Sequence, residues 1–546
     1  NQFLGIVITV IVLSLLFGGI IGTYLGAQSK TMEGITFKIR VFMKIIKTVE
    51  NDYFRKVEVE ELLDYAIRGM LRSLDPHTIY LDRDEFNELI VGTKGSFGGL
   101  GIQIGIRDDI LTIITPLEGT PAYNAGLLAG DKIVEIEKVS TKGITLQQAV
   151  KKLRGKPGTE VTIGIKREEV KDVTHFTITR DIIKVKAVPY SGMVSDGIGY
   201  IRLSSFSEVS PGEFANAIDS LLNEGANKFI VDLRNNSGGL LKAAIDISDN
   251  FIDKGKIILS TKGRKIGTSR DYYAKRHPKY GDFPLVILVN GGSASASEIV
   301  SIAIQDWDRG LILGTKTFGK GSVQQVIPID HETALKITTA LYYSPSGRSI
   351  DIEIKKKEQS KSTDWVIEKE EIKALDKREI DEIKEKIEDK KKEKKNGEIK
   401  EDTTTYYTLR LKRKVYGGGA VTPDIVLELP KMTEFETKIY QKALFFSFTV
   451  DYTAEHKIKK GFSVEEKMLS SFKDYIKNKN IEFTDEDFEK SIDDLKIGLK
   501  RNISMKLWGI KSSYESVIMD DRQVAKAIEI LEKSKNIDDM FTLIEE

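Results

Sequence analysis

The chain contains no cysteine. That excludes a thiol nucleophile, a thiolate metal site and any disulfide framework, and gives no vote on redox compartment. Histidine is nearly as scarce. His77, His175, His277, His331 and His456 are the only five in 546 residues. None sits in a glycine-rich or acid-paired setting that suits a general base, and His77 falls in a turn, Leu74-Asp75-Pro76-His77-Thr78. There is no excess of one charge sign either: 83 basic against 82 acidic residues give a net charge of +1. No bulk electrostatic case for nucleic-acid binding follows. No phosphate-binding loop and no cluster with metal-ligand spacing appears, so neither a metal nor any other cofactor is implied.

Charge is wholly missing from Asn1 to Ser29, and Phe3 to Ile21 is almost entirely apolar. At about 1.5 Å per residue, such a helix crosses a hydrocarbon core about 30 Å thick. The rival is a secretory signal, because Leu25-Gly26-Ala27 loosely resembles a small-residue cleavage site. The apolar stretch is longer than a typical signal core, which favours an uncleaved single-pass anchor. Its orientation is not readable from flanking basic residues. At this length the chain should form several domains.

The most informative stretch lies between Asn290 and Gln325. A continuous apolar strand, Pro284 to Val289, runs into Ser293-Ala294-Ser295-Ala296-Ser297 and then an amphipathic helix beginning near Glu298. A hydroxyl at such a strand-to-helix corner is exposed, and the first-turn amides beside it are ready oxyanion donors. Downstream comes Gly319-Lys320-Gly321, with Gln324 shortly after. With histidine and cysteine set aside, this reads as a serine nucleophile served by a lysine base. Free lysine has a pKa of about 10.4, so roughly one molecule in a few thousand is neutral at pH 7. Burial that lowers the value to roughly 7–8 makes a competent base. The apolar residues Leu311 to Leu313 and Val323 to Pro328 supply that burial. The flanking glycines let backbone pass close to a substrate, and Gln324 is placed to orient the amine.

In these residues the chain resembles the carboxy-terminal processing proteases, serine peptidases with a Ser–Lys pair and an embedded PDZ domain. The resemblance implies that the middle serine of S-A-S-A-S-E, Ser295, is the nucleophile. The lysine of F-G-K-G, Lys320, is then the base, and Gln324 assists it. A second motif, Asp232-Leu233-Arg234-Asn235-Asn236-Ser237-Gly238-Gly239, implies an oxyanion hole made by the amide of Gly238 or Gly239 together with that of Ala296. Read from the residues alone, Arg234 and Asp306 are ion-pairing or turn-fixing groups. The likeness covers roughly residues 35–350 and a short piece near 416–430.

The same resemblance organises the rest. Residues 30–94 form an amino-terminal helical region, with Phe37, Val41, Ile45, Ile46 and Val49 at helical spacing. It serves either a homo-oligomer contact or a cap on its own protease. Residues 95–183 match a PDZ domain. Gly98, Gly99, Leu100, Gly101 and Ile102 stand where that domain binds a peptide's terminal carboxylate, in an anion nest beside a strand edge open to β-augmentation. Leu146, Ala149 and Val150, on the helix closing the groove, are either side-chain contacts or core.

A protease core, α/β with a mixed sheet and similar to the crotonase and Clp superfamily, occupies 184–352 and resumes at 416–430. Between them a Lys- and Glu-rich insertion, 353–415, reads as a solvated helix or disordered arm. Residues 431–546 form a helical region, with Phe445, Phe446, Phe448 and Trp508 expected in its core.

The expected protein is therefore α/β and multidomain, anchored by an amino-terminal membrane helix, with its catalytic part in the periplasm or cell envelope. It cleaves protein substrates near carboxyl termini that the PDZ domain recognises. Two rivals stand beside this reading. One is a catalytically inert PDZ scaffold, and the other is a crotonase-like acyl-CoA enzyme, which gives the PDZ domain no role.

Overall fold

A computed structural model of the protein describes residues 34–167, 172–352 and 405–544. The expected membrane segment and the charged insertion as far as residue 404 lie outside the described residues. Among those described, no helix is long and apolar enough to cross a membrane. The chain separates into two compact units, one made of residues 1–82 with 326–337 and the other of residues 83–325 with 338–546.

In the first unit, helix α1 covers residues 34–52 and α2 covers Val59–Arg72. A short strand, β1 (Ile79–Leu81), pairs antiparallel with Ala334–Lys336. The helical periodicity of the first segment forms a helix as expected, yet of its apolar positions only Ile46 is buried. Phe37, Met43, Ile45, Phe54, Tyr65 and Met70 are all exposed.

The second unit opens with α3 (Arg83–Lys94) and a small β-module. Strand β2 (Ser96–Gly99) leads through Leu100 and Gly101 into β3 (Ile102–Arg107) and β4 (Ile110–Pro116). Next come α4 (Pro121–Asn124), β5 (Lys132–Ile136), β6 (Val139–Ser140) and α5 (Leu146–Leu153). Strands β7 (Glu160–Lys166), β8 (Thr174–Thr179) and β9 (Asp181–Lys184) close the module. Its main sheet runs β3-β4-β5-β7-β8, which leaves β3 as an edge beside α5. Helix α5 starts at a reciprocal cap between Thr145 and Gln148, which satisfies two otherwise unpaired amides. Of the three α5 candidates, Ala149 is fully buried in the module's core, whereas Leu146 is 41% exposed.

The larger body is a six-stranded sheet. Its strands are β10 (Tyr190–Ser195), β11 (Ile198–Arg202), β12 (Lys228–Asp232), β15 (Leu285–Val289), β16 (Leu311–Gly314) and β21 (Ile425–Val426), adjacent in that order. β10 is antiparallel to β11, and every other pair is parallel. Parallel strands are covered on both faces and so read as unbroken apolar runs; all five residues of β15 are buried.

Alternate side chains point to opposite faces. Phe229, Val231, Ile287 and Val289 face α6 (Ser210–Asn223), α7 (Leu241–Ser248) and α8 (Ala296–Asp306). Ile230, Val286, Leu288 and Leu313 face the carboxyl-terminal helices that follow. A second sheet includes β13 (Ile257–Lys262), β14 (Arg270–Tyr273), β17 (Ser322–Pro328) and β18 (Ala334–Tyr343). The last part of the expected insertion, 405–415, is neither helix nor disordered arm: β19 (Thr405–Tyr407) and β20 (Lys414–Tyr416) form a hairpin there.

The carboxyl-terminal helices divide between two cores. Helices α9 (Glu434–Gln441), α10 (Leu444–Glu455), α11 (Glu466–Asn478) and α12 (Asp485–Lys490) surround one core with the first part of α13 (Ile492–Glu515). Helices α14 (Arg522–Lys533) and α15 (Ile537–Thr542) lie on the protease sheet. Phe445 and Phe448 are buried as expected. Phe446 and Trp508 are only half-buried, because Phe446 turns outward to Arg107, whose guanidinium lies 5.9 Å from its ring centre.

Buried ion pairs bind the segment after the insertion to the sheet. Arg348, fully buried, donates to Asp306 Oδ1 (2.7 Å), Gln305 Oε1 (2.6 Å) and the Tyr416 carbonyl (3.0 Å). Arg413 bonds Asp308 (2.8 Å) and Asp424 (2.7 Å), and Asp424 accepts the Ile312 amide. Asp306 closes α8, so this network fixes the far end of the helix that begins beside Ser295. Removing one partner strands a buried charge. Asp306→Ala is expected to cost about 3–5 kcal/mol, read as a lower urea midpoint by tryptophan fluorescence.

Candidate active site

Ser295 caps the start of α8 with φ 54° and ψ −111°, a conformation that non-glycine residues hold only when their surroundings impose it. Such a sharp corner between strand and helix presents a nucleophile at the sheet's edge. The residue is 6% exposed.

Glu298, one helical turn on and wholly buried, holds the corner. Its Oε2 accepts the amide of Ser295 (2.9 Å) and the amide of Lys320 (2.9 Å). Its Oε1 accepts the Gly319 amide (2.7 Å) and the Thr317 hydroxyl (2.5 Å). One carboxylate thus ties the corner carrying Ser295 to the loop carrying Lys320. Burial pushes this carboxyl above its ordinary range, and the four hydrogen bonds offset only part of that. Burial of this kind is tolerated when a group's lone pairs are filled. A further tie runs from the Phe318 amide to the Ser293 carbonyl at 3.0 Å.

The D-L-R-N-N-S-G-G turn lies directly against this corner. A β-carbon on Gly238 would fall 2.8 Å from that of Ser295 and 2.9 Å from the Ala296 nitrogen. One on Gly239 would fall 2.1 Å from the Phe206 carbonyl oxygen. Both glycines have positive φ, at 98° and 145°, so neither position tolerates a side chain. The two differ in their amides. Gly238 donates to Asn236 Oδ1 at 2.9 Å, whereas Gly239 and Ala296 have no acceptor among the described residues.

Asn236 is itself fully buried. Its Nδ2 donates to the Leu203 carbonyl (2.9 Å), and its own carbonyl accepts the Ala294 amide (3.0 Å) and the Ser297 hydroxyl (2.8 Å).

Arg234 and Asp306 are ion-pairing residues, as expected. Arg234 and Arg202 bracket Asp232, which also accepts the Tyr200 hydroxyl at 2.6 Å. Burial works to raise the Asp232 carboxyl, but the two guanidinium groups prevail and hold it below the usual carboxylate range. Arg234 reaches on to Asp521 (2.8 Å) and Gln523 (2.9 Å), which pins the turn to α14.

The glycines flanking Lys320 serve a different purpose from the expected one. A β-carbon on Gly319 would collide with Ile352 at 2.2 Å, and one on Gly321 would meet the Asp351 nitrogen at 2.6 Å. They let the loop lie against the protein's own chain, and the sequence alone does not reveal which backbone they approach. Thr317 Oγ1 in turn accepts the Val421 amide at 2.7 Å, so the segment beyond the insertion braces the lysine loop. Gln324 donates from Nε2 to Ser322 Oγ (2.9 Å) and Thr338 Oγ1 (3.4 Å).

Sequence reasoning passed over three residues of this site. Glu298 was legible in part, since Ser295-x-x-Glu298 has capping-box spacing. Asn236 lay unremarked inside a quoted motif. Tyr342, on β18, carries no local mark of the site, yet its buried hydroxyl reaches the Ser295 side chain, and burial pushes the phenol up to about 12.

Residues 197–358 match the model of peptidase family S41, residues 112–167 a PDZ domain, and residues 24–85 the amino-terminal domain of the activating protease CtpB. A carboxy-terminal-processing protease of Bartonella bacilliformis is 43% identical over 331 residues, 59% of this chain and 76% of that protein. The chain belongs to the carboxy-terminal-processing protease family. It is a serine peptidase of family S41 with a PDZ domain and a helical carboxyl-terminal region. The carboxy-terminal processing protease CtpA of Bacillus subtilis is 38% identical over 56% of this chain and 65% of its own length. A photosystem II D1 C-terminal processing protease structure is 27% identical over 57% of this chain and 90% of that one, at a TM-score of 0.33. Residues 435–509 match a family of unknown function.

Asn236→Ala removes the acceptor that occupies the Gly238 amide and frees the turn beside Ser295. Losing an oxyanion donor costs roughly 10²–10³ in turnover, and misplacing one should cost less. The expected result is a kcat roughly ten- to a hundredfold lower with KM little changed, measured on an unfolded protein substrate.

Proposed function

We propose that the protein is a serine endopeptidase that cuts protein substrates near their carboxyl termini, using Ser295 as nucleophile and Lys320 as base. Lys320 in its neutral form takes the hydroxyl proton as Ser295 Oγ bonds to the scissile carbonyl carbon. The carbonyl electron pair moves onto oxygen and is met by the amides of Ala296 and Gly239. When the tetrahedral adduct collapses, the lysine ammonium returns the proton to the departing amine. Water then repeats the sequence on the acyl-enzyme. Gly239 is preferred to Gly238 because the latter's amide is already engaged by Asn236. Gln324 keeps its carboxamide oxygen for the lysine ammonium, its nitrogen being held by Ser322 and Thr338.

The observation that carries this reading is the shared Glu298 carboxylate, which accepts the amides of both Ser295 and Lys320. A mere helix cap has no need of the second bond. The acyl-CoA rival assigns no role to either the lysine loop or the PDZ module.

The PDZ module receives the substrate's tail, its terminal carboxylate at Gly98, Gly99, Leu100, Gly101 and Ile102 and its backbone along β3. The open β3 edge supports this assignment. The uncharged stretch from Asn1 to Ser29 anchors the protein in the cell membrane, with the catalytic part outside the cytoplasm in the periplasm or envelope. The exposed apolar side chains of α1 and α2 suit a homo-oligomer contact.

Ser295→Ala and Lys320→Ala should each lower kcat by roughly 10⁴-fold or more, as removing members of a catalytic unit does elsewhere. Both variants should still bind a tail peptide. Mass spectrometry of the products should place the cuts near the carboxyl end. Turnover persisting in either variant would overturn the pair.

A further inference from the structure

Residues 435–509 have a core of their own, built from Phe435, Phe445, Phe448, Phe472, Leu495, Leu499 and Ile503. None of the chemistry above uses them. Their outer surface, however, meets the PDZ module at the β3–β4 hairpin, whose β3 edge is the strand assigned to the substrate tail.

Three contacts make this seam. Arg107, the last residue of β3, lies over the Phe446 ring of α10. Asp108, in the hairpin turn, sits 3.7 Å from Lys479 at the end of α11. Gly130 approaches α10 so closely that a β-carbon there would fall 2.8 Å from Val450 Cγ1. The adjoining Asp131 is buried and held by Arg167 at 2.6 Å, so the Gly130 turn is itself rigid. The Asp108–Lys479 pair is largely exposed and contributes little; the close packing of Gly130 on Val450 and of Arg107 on Phe446 dominates.

The seam continues into the protease. Helix α13 packs against β4, is broken at Gly509 (φ 81°, ψ −175°) and carries Tyr514 onto the protease sheet. There the Tyr514 ring stacks on Tyr190 of β10 at 5.7 Å. Two helical segments joined at Gly509 therefore span from the tail-binding hairpin to the catalytic sheet.

We propose that the helical module 435–509 is a strut whose α10–α11 surface grips the PDZ β3–β4 hairpin and holds the tail groove at a fixed reach from Ser295. A tail captured at that reach presents the adjoining chain to the site at a high effective concentration, an advantage lost once the groove can wander. The proposal rests on the reading that the PDZ module captures tails.

The test uses the full chain and a fluorogenic peptide substrate with either a free or an amidated carboxyl terminus. Wild type should favour the free acid in kcat/KM. Val450→Glu should shrink that preference roughly tenfold or more. Its affinity for the free tail peptide and its rate of Ser295 labelling by a fluorophosphonate should stay unchanged. Phe446→Ala with Val450→Ala is a milder second variant and should act in the same direction. Because the chain has no cysteine, Asp108→Cys and Lys479→Cys can be joined by a short bismaleimide in the Val450→Glu background, and the link should restore the preference. A preference that survives Val450→Glu, or fails to return on crosslinking, overturns the strut. A wild type indifferent to amidation overturns the tail-capture reading and the strut together.

Discussion

A single buried carboxylate joins the corner at Ser295 to the loop at Lys320. Glu298 receives four hydrogen bonds from two segments, the corner at Ser295 and the loop spanning Thr317 to Lys320. A buried carboxylate left without donors would cost several kcal/mol, so each donor is held in place by the penalty for leaving. The strained backbone of Ser295 is tolerable on the same ground. Its amide is bonded to Glu298 in that conformation, and α8 is fixed at both ends, by Glu298 at the start and by Arg348 at Asp306.

That constraint draws in distant parts of the sequence. The lysine loop leans on Val421, and the outermost strand β21 belongs to the same late segment. Arg413 and Asp424 stitch that segment to β16 and α8. Behind the sheet, α14 and α15 cover the face that α6, α7 and α8 leave open, and Arg234 couples the Asp232–Gly239 turn to α14 through Asp521. The site is thus completed by residues more than a hundred positions downstream of Ser295.

Sequence reading went far where periodicity and motif agreed. The runs at Ile198, Phe229, Leu285 and Leu311 are apolar because parallel strands are buried on both faces, and each forms a strand of the central sheet. The small-residue corner at Ser295 likewise forms the expected helix start. What stayed hidden depends on pairing at a distance. Nothing local marks Asn236 as the acceptor for Gly238, since asparagine is also an ordinary turn residue. Gly319 and Gly321 look like substrate-facing glycines until Ile352 and Asp351 are seen against them. Phe446 has the hydropathy of a core residue but is half-exposed and faces a cation on another module.

The central claim is that Glu298 holds nucleophile corner and lysine loop as one body. Amide hydrogen exchange resolved at Ser295 and Lys320, compared between wild type and Glu298→Gln, tests it most directly. Both amides should be strongly protected in the wild type and should lose protection together in the variant, alongside Gly319. Protection at Ser295 that persists while Lys320 is released, or no change at either amide, would contradict the account.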